Sequence, residues 1–264
     1  KAGIAEILTM IERIQTENRP HGTICVAFTP DEEIGMGAEH FNLDQFGAEY
    51  AYTLDGDSEG EIQYENFNAC KAEFEIRGFN VHPGEGKDTM INASLVAIEI
   101  NNCLPSMETP RGTEDYEGFY HLISMQGEVG EAKLNYIVRD HDKNGFEERK
   151  KTLRLIEKNL NAKWGEGTVT LKITDQYLNM KEIVEEHMHL IDHAKKACEA
   201  AGVAPLILPI RGGTDGCQLS FKGLPCPNLG TGGHAFHGPY EHISVEGMEK
   251  SVELLLALIQ EYTK

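Results

Sequence analysis

The fold class is indicated by the run Gly22-Thr23-Ile24-Cys25-Val26-Ala27-Phe28-Thr29-Pro30-Asp31-Glu32-Glu33. Its first part, Gly22 to Phe28, is apolar and β-branched, which predicts a strand buried in a sheet. Two adjacent carboxylates, Glu32 and Glu33, follow and would emerge at the carboxyl end of that strand. Open α/β sheets carry their chemistry at this edge, so the run predicts both an α/β fold and the position of its site.

Outward from this run, the order of helices and strands divides the chain in two. Residues 66–175 follow the order β-α-β-β-α-β, which is the ferredoxin-like pattern. Residues 1–65 and 176–264 have the rhythm of α/β layers on a predominantly parallel sheet. The elements predicted there are helices at 1–13, 37–41, 181–201 and 244–262, and strands at 22–28, 50–54, 205–210 and 227–229. The sequence therefore predicts an α/β domain interrupted by an inserted ferredoxin-like α+β domain.

The composition disfavours several classes of partner. The formal charge is −19, from 43 acidic against 24 basic residues, which disfavours nucleic acid and anionic membranes. No apolar run is long enough to span a membrane, and no basic-then-apolar leader is visible. The six cysteines are scattered without a Cys-x-x-Cys pair, which indicates buried thiols. These features predict a cytoplasmic protein.

Side chains that bind metals could meet at the predicted sheet edge. Asp55 follows a second short apolar strand, which would place it beside the acidic pair. A glycine-rich run near the C-terminus contains three histidines, His234, His237 and His242. Glu33, Asp55 and one of these histidines would supply the oxygen and nitrogen donors that zinc accepts, and cobalt or manganese could also occupy such a site. Glu32 would then stay free to take a proton from bound water.

Three further polar residues have weaker individual signals. Arg211 opens the turn Arg211-Gly212-Gly213-Thr214-Asp215-Gly216 after a predicted buried strand. Its guanidinium and the glycine-exposed amides would suit a carboxylate, although a tight turn with a salt bridge explains the pattern equally well. Arg139 closes a strand of the inserted domain and could form an edge-strand ion pair with Asp140. His82, which follows the first strand of that domain, would by itself be a surface histidine.

Several separated motifs resemble those of one enzyme family. They are Thr29-Pro30-Asp31-Glu32-Glu33-Ile34-Gly35, Asn80-Val81-His82-Pro83-Gly84, Glu117-Gly118-Phe119-Tyr120-His121-Leu122, Pro209-Ile210-Arg211-Gly212-Gly213-Thr214-Asp215-Gly216, Gly223-Leu224-Pro225-Cys226-Pro227-Asn228, Thr231-Gly232-Gly233 and Phe236-His237-Gly238. On these motifs the chain resembles the peptidase T family of tripeptide aminopeptidases, which are dinuclear zinc metallopeptidases related to carboxypeptidase G and succinyl-diaminopimelate desuccinylase. The resemblance implies a zinc-binding α/β domain with an inserted ferredoxin-like lid that forms a homodimer.

The resemblance also implies a role for each candidate residue. Glu32 resembles the general base that activates a water held between two zinc ions. Glu33 and His237 look like ligands of one zinc, and Asp55 looks like a ligand of the other. The lid histidine, His82, matches a residue that reaches into the partner's site and stabilises the developing oxyanion. The two residues that resemble peptide-holding groups are Arg139 and Arg211.

The family pattern is incomplete in this sequence. Its His-x-Asp motif and its bridging aspartate would lie upstream of Lys1, so we expect that the N-terminal part of the catalytic domain is missing and that the isolated chain is inactive. Two other interpretations stay open. One is a related amidohydrolase, deacylase or dipeptidase of the same clan. The other is a non-catalytic dimerisation protein built from a truncated hydrolase, although retention of the acidic and histidine candidates argues against it.

Overall fold

The computed structural model describes residues 1–263, which form two compact units. The first unit contains Lys1–Asn66 and the residues from Asn179 onward, and the second unit is Phe67–Leu178. Among residues 1–263, no helix combines the length and the apolar character that a bilayer span requires.

Helices and strands alternate along much of the chain. The helices are α1 (Ala2–Thr16), α2 (Leu43–Phe46), α3 (Ala93–Asn102), α4 (Lys143–Trp164), α5 (Lys181–Val184), α6 (His189–Ala200), α7 (Asp215–Phe221) and α8 (Val245–Glu261). The strands are β1 (Thr53–Gly56), β2 (Glu61–Gln63), β3 (Asn68–Arg77), β4 (Phe119–Gly127), β5 (Glu131–Asp140), β6 (Val169–Tyr177), β7 (Leu206–Ile207), β8 (Asn228–Gly230), β9 (Gly233–His234) and β10 (His242–Ile243).

The first unit is built on a mixed four-stranded sheet. Its strand order is β1-β8-β2-β7, with β1 parallel to β8, β2 parallel to β7, and β2 antiparallel to β8. Helix α8 packs against both α1 and α6. Ser244 caps α8, because its hydroxyl oxygen accepts a hydrogen bond from the backbone N–H of Gly247 at 2.9 Å. Strands β9 and β10 form a separate antiparallel pair, whose connecting loop carries His237.

The second unit has the ferredoxin-like topology that the sequence predicts. Its antiparallel sheet has the order β4-β5-β3-β6, and α3 and α4 connect the strands in the β-α-β-β-α-β sequence. Buried residues alternate with less buried ones along β5, as expected for a sheet covered on one face. The core between the sheet and the helices is filled by large apolar side chains, including Phe74, Tyr136, Ile100 and Leu153.

The strand predicted at Gly22 to Phe28 is wrong. These residues form no strand in the structure, and Val26 and Phe28 keep 38% and 50% of their surface exposed. The segment is rich in β-branched residues, but β propensity reflects how well a side chain packs on a paired, half-buried surface. In the described part of the chain, no strand pairs with this segment, so its composition alone does not make it a strand.

Three other predicted elements differ from the structure. The helix predicted at 37–41 is a turn, and the helical residues come later in α2, which Asn42 caps. The helix predicted at 181–201 is interrupted by a 3-10 turn at Glu185–His187. Hydrophobic spacing persists through such a turn, so periodicity cannot detect the break. The strand predicted as buried at 205–210 shrinks to β7, whose two residues are exposed.

Candidate active site

The acidic pair lies on a tight turn of the first unit. Glu32–Ile34 is a single 3-10 turn, closed by a hydrogen bond of 2.7 Å from the N–H of Gly35 to the carbonyl of Glu32. Asp31 and Gly35, which flank the turn, both adopt left-handed backbone angles, with φ of 60° and 73°. A non-glycine residue rarely adopts this conformation, so the local path is specific. It leaves Glu32 half-buried and Glu33 exposed.

The structure brings Glu33 and His237 together. Their Oε2 and Nε2 atoms lie 3.7 Å apart, and both side chains remain about four-fifths exposed, at 78% and 80%. His237 is held in the loop between β9 and β10 with φ of 59°, and its N–H donates to Oε2 of Glu241 at 3.1 Å. A carboxylate oxygen and an imidazole nitrogen are therefore close to each other. The family resemblance implies such a pair as ligands of one ion.

The carboxylates of the site repel one another. Burial, and after it the charges of Asp55, Asp215 and Glu33, raises the pKa of Glu32 to about 7. Although Asp55 keeps contact with solvent, surrounding protein atoms and the charges of Glu33 and Asp215 raise its pKa. A divalent cation bound among these carboxylates would offset their mutual repulsion.

The donor chemistry fits zinc, and the geometry supplies part of a site. Two carboxylates and one imidazole are donors that zinc accepts. Among residues 1–263, however, no three His, Cys, Asp or Glu side chains converge closely enough to hold an ion. The structure thus places Glu33 and His237 in contact and leaves Asp55 as a charged neighbour of Glu33.

Asp215 belongs to the site, although the sequence gives this residue no separate functional signal. Its side chain is only 4% exposed, and its Oδ2 accepts a hydrogen bond of 2.6 Å from the hydroxyl of Thr29. Its charge acts on both Glu32 and Asp55. The only signal in the sequence is Thr214-Asp215, which is typical of a helix start, and Thr214 does cap α7. Because a helix start fully explains these two residues, the sequence gives no sign that Asp215 contacts Thr29, which lies 186 residues earlier in the chain.

The predicted substrate arginines lie in different units. Arg211 is half-buried in the first unit, in the loop that precedes α7. Arg139 is on β5 of the second unit, between Ala69 of β3 and Phe119 of β4 in the ladder. Its guanidinium lies 5.9 Å from the ring centre of Tyr177, which is a cation–π distance.

His82 is an exposed histidine of the second unit with one ring nitrogen engaged. It precedes the 3-10 turn Pro83–Glu85, and its Nδ1 accepts a hydrogen bond of 3.2 Å from the N–H of Gly84. A neutral imidazole that accepts at Nδ1 carries its proton at Nε2. The hydrogen bond to Nδ1 therefore leaves Nε2 of His82 as a hydrogen-bond donor.

Comparison with known proteins confirms the resemblance that the motifs indicate. A peptidase T from Halothermothrix orenii is 54% identical over 263 residues, which are 99% of this chain and 64% of that relative. The chain therefore spans slightly less than two thirds of the relative's length. The crystal structure of aminopeptidase PepT from Bacillus cereus matches with a TM-score of 0.86 and 25% identity, covering 100% of this chain and 70% of the other.

The wider family is also clear from the comparisons. The YXEP protein of Bacillus subtilis, described as a dinuclear metal binding peptidase of the M20 family, has the same fold, with a TM-score of 0.73 at 17% identity over 100% of this chain and 72% of its own. Residues 1–261 match the family model described as Peptidase family M20/M25/M40. The chain belongs to this peptidase family.

Proposed function

We propose that this chain is the larger part of a metal-dependent aminopeptidase that removes the N-terminal residue from tripeptides. The observation that carries the proposal is the contact between Glu33 and His237 beside Glu32, a carboxyl group whose pKa is raised to about 7. The relative named peptidase T and the neighbour named an aminopeptidase support the substrate class. We use the term long form for this chain together with the portion that brings it to the length of its relatives.

The proposed roles follow from the chemistry of each group. Glu33 and His237 would hold one metal ion and Asp55 the other, with zinc as the proposed metal and cobalt or manganese as alternatives. A bound ion supplies a water of lowered pKa. Glu32 would take the proton of that water and later pass it to the leaving amine, because a carboxyl group with a pKa near neutrality both accepts and returns a proton efficiently.

Three further residues are proposed to act on the substrate. His82 would donate a hydrogen bond from Nε2 to the developing oxyanion of a peptide in the partner's site. Its Nδ1 already accepts a hydrogen bond from Gly84, so the proton of the neutral ring is on Nε2. Arg139 and Arg211 would hold the peptide, since guanidinium groups pair well with carboxylate and carbonyl oxygens.

We propose that the 264-residue chain does not turn over peptides unless it is part of the long form. The support is geometric, because the described residues place two donors in contact and provide no third that converges with them. The alternative for the chain alone is a non-catalytic dimerisation role. The proposed location is cytoplasmic, and the four cysteines that are buried as free thiols support it.

Substrate discrimination tests the proposed activity. The zinc-loaded long form should release the N-terminal residue from a free tripeptide, and it should act at least tenfold more slowly on the same peptide with an acetylated N-terminus and on a dipeptide. The measurement is product release by liquid chromatography at several substrate concentrations. Faster cleavage of an N-acyl amino acid than of the tripeptide would instead favour the related deacylases of the same clan.

We also propose a homodimer formed through the second unit. Strand β4 is at the edge of its sheet and carries exposed Ile123 and Met125, and the neighbouring helix α3 exposes Leu95 and Ile98. An edge strand with exposed apolar side chains beside an apolar helix face suits self-association. A two-fold axis would bring each such surface against its copy.

Replacing Leu95 by glutamate should separate this dimer into monomers. Each copy would then bury a charge without a partner in the interface, which is costly. Leu155→Glu is the matched control, because Leu155 on α4 has a similar exposure of 55% against 61% for Leu95. Sedimentation velocity of the long form should show a dimer for the wild type and the control, and a monomer for the Leu95 variant. A wild type that sediments as a monomer at micromolar concentration would exclude the dimer.

A further inference from the structure

One face of helix α7 contacts the loop that carries the acidic pair. Gln218 lies three residues after Asp215 on α7, and Lys222, which directly follows the helix with helical backbone angles, lies seven residues after it. The three side chains are therefore on the same side of the helix. Each contacts a different part of the loop from Thr29 to Glu39. The acidic pair lies between the first two points of contact.

The contacts begin before the acidic pair and end after it. Thr29 donates its hydroxyl proton to Oδ2 of Asp215 at 2.6 Å. Gln218 donates from Nε2 to the carbonyl of Gly35 at 2.9 Å. The ammonium group of Lys222 donates to the carbonyl of Glu39 at 2.6 Å and also to that of Ala38. The loop is therefore held at its start, directly after the acidic turn, and at its end.

The loop's own backbone hydrogen bonds are local. Met36 donates its N–H to the carbonyl of Asp31 at 3.1 Å, and Glu39 donates to the carbonyl of Met36 at 3.1 Å. These bonds give the loop its curvature, but they do not fix it against another element. The contacts with α7 join the loop to the body of the first unit at three points.

Close packing accompanies these hydrogen bonds. A Cβ atom added to Gly37 would collide with the carboxylate of Asp215, so the loop backbone lies directly on that buried side chain. Ala38, which is fully buried, packs in the same cluster as Leu219 of α7. The loop thus follows the surface of the helix closely.

We propose that the face of α7 formed by Asp215, Gln218 and Lys222 positions the acidic loop, and that Gln218 is a positioning residue for the proposed reaction. Gln218 binds the carbonyl of Gly35, the left-handed residue that ends the turn of Glu32 and Glu33. Without this bond, the turn can relax away from the conformation that directs Glu32. The catalytic consequence rests on the proposed function, whereas the structural consequence does not.

The variant Gln218→Met tests the inference, because methionine keeps the length of the side chain and removes its amide. The matched control is Gln260→Met, since Gln260 donates a similar hydrogen bond of 2.8 Å to the carbonyl of Pro20. In the zinc-loaded long form, Gln218→Met should lower kcat about tenfold with KM changed less than twofold. It should also increase the hydrogen–deuterium exchange rate of the amides from Glu33 to Glu39 at least fivefold. The control should leave kcat and these exchange rates unchanged.

The two readouts separate failure of this inference from failure of the proposed function. Unchanged exchange of the loop in Gln218→Met would overturn the positioning role, whatever the activity. Faster exchange with unchanged kcat would overturn its catalytic consequence. If the wild type cleaved no peptide, the proposed function would fail, and the exchange rates alone would decide whether α7 holds the loop. Thermal unfolding midpoints within a few degrees of the wild type would show that each variant is folded.

Discussion

Glu32→Gln is expected to lower kcat of the zinc-loaded long form about 1,000-fold and to leave its zinc content unchanged. General base catalysis typically contributes a factor of 10²–10⁴ to a rate. Glutamine has the same shape but cannot accept the proton from water. Because Glu32 is not a proposed metal ligand, the substitution should act on the proton transfer alone. Glu12→Gln, at an exposed glutamate of α1, is the matched control.

The pH dependence of the same enzyme checks this assignment. The wild-type rate should rise with pH as Glu32 loses its proton, because only the carboxylate can act as the base. Burial and neighbouring carboxylates raise the pKa of Glu32 to about 7, and bound cations would lower it from there. The rising part of the profile should therefore lie at or below pH 7 and should disappear in Glu32→Gln. A variant with the wild-type kcat and profile would exclude Glu32 as the base.

Glu6→Gln is expected to make the 264-residue chain more stable above neutral pH by about 3 kcal/mol. Glu6 is 1% exposed on the buried face of α1, and in the described structure neither of its carboxylate oxygens has a hydrogen-bond partner. Burial raises its pKa from 4.5 to about 7. Each unit of difference between the folded and unfolded pKa corresponds to roughly 1.4 kcal/mol of stability.

The sign of this effect follows from which state loses the proton first. Below pH 4.5 the carboxyl group is protonated in both states and the full stability is present. As the pH rises towards 7, the unfolded chain releases the proton while the folded chain keeps it, so the free energy of unfolding falls. Glu6→Gln should abolish this fall, whereas Glu12→Gln on the same helix should not. Urea unfolding between pH 4.5 and 8 measures it, and parallel curves for wild type and Glu6→Gln would contradict the prediction.

The second unit could be predicted from the sequence because its signals are local. Strands β4 and β5 follow one another and pair directly, and the alternating burial of β5 is visible in its residue pattern. Both helices, α3 and α4, show apolar faces of helical period. The strand order, the burial pattern and the helix faces all agree with the ferredoxin-like topology, so this topology can be recognised without knowledge of distant contacts.

The first unit could be predicted less well because its structure depends on distant contacts. The segment Gly22 to Phe28 has the composition of a strand, but a strand also requires a neighbour to pair with. The role of Asp215 depends on Thr29 and on the loop over Gly37, which no local pattern reveals. For the candidate site, motifs indicated Glu33 and His237, and the structure places them in contact. That Asp215 lies beside the loop of the acidic pair could be found only from the structure.

Zinc stoichiometry measured together with peptide release tests the central proposal most directly. The long form should bind two zinc ions per chain and release the N-terminal residue of a free tripeptide, and Glu33→Ala should lose one ion and the activity together. The same measurement on the 264-residue chain should show fewer than two ions and no release. A long form that cleaves the tripeptide after its metal has been removed, or a Glu33→Ala variant with two ions and full activity, would contradict the proposed metal site.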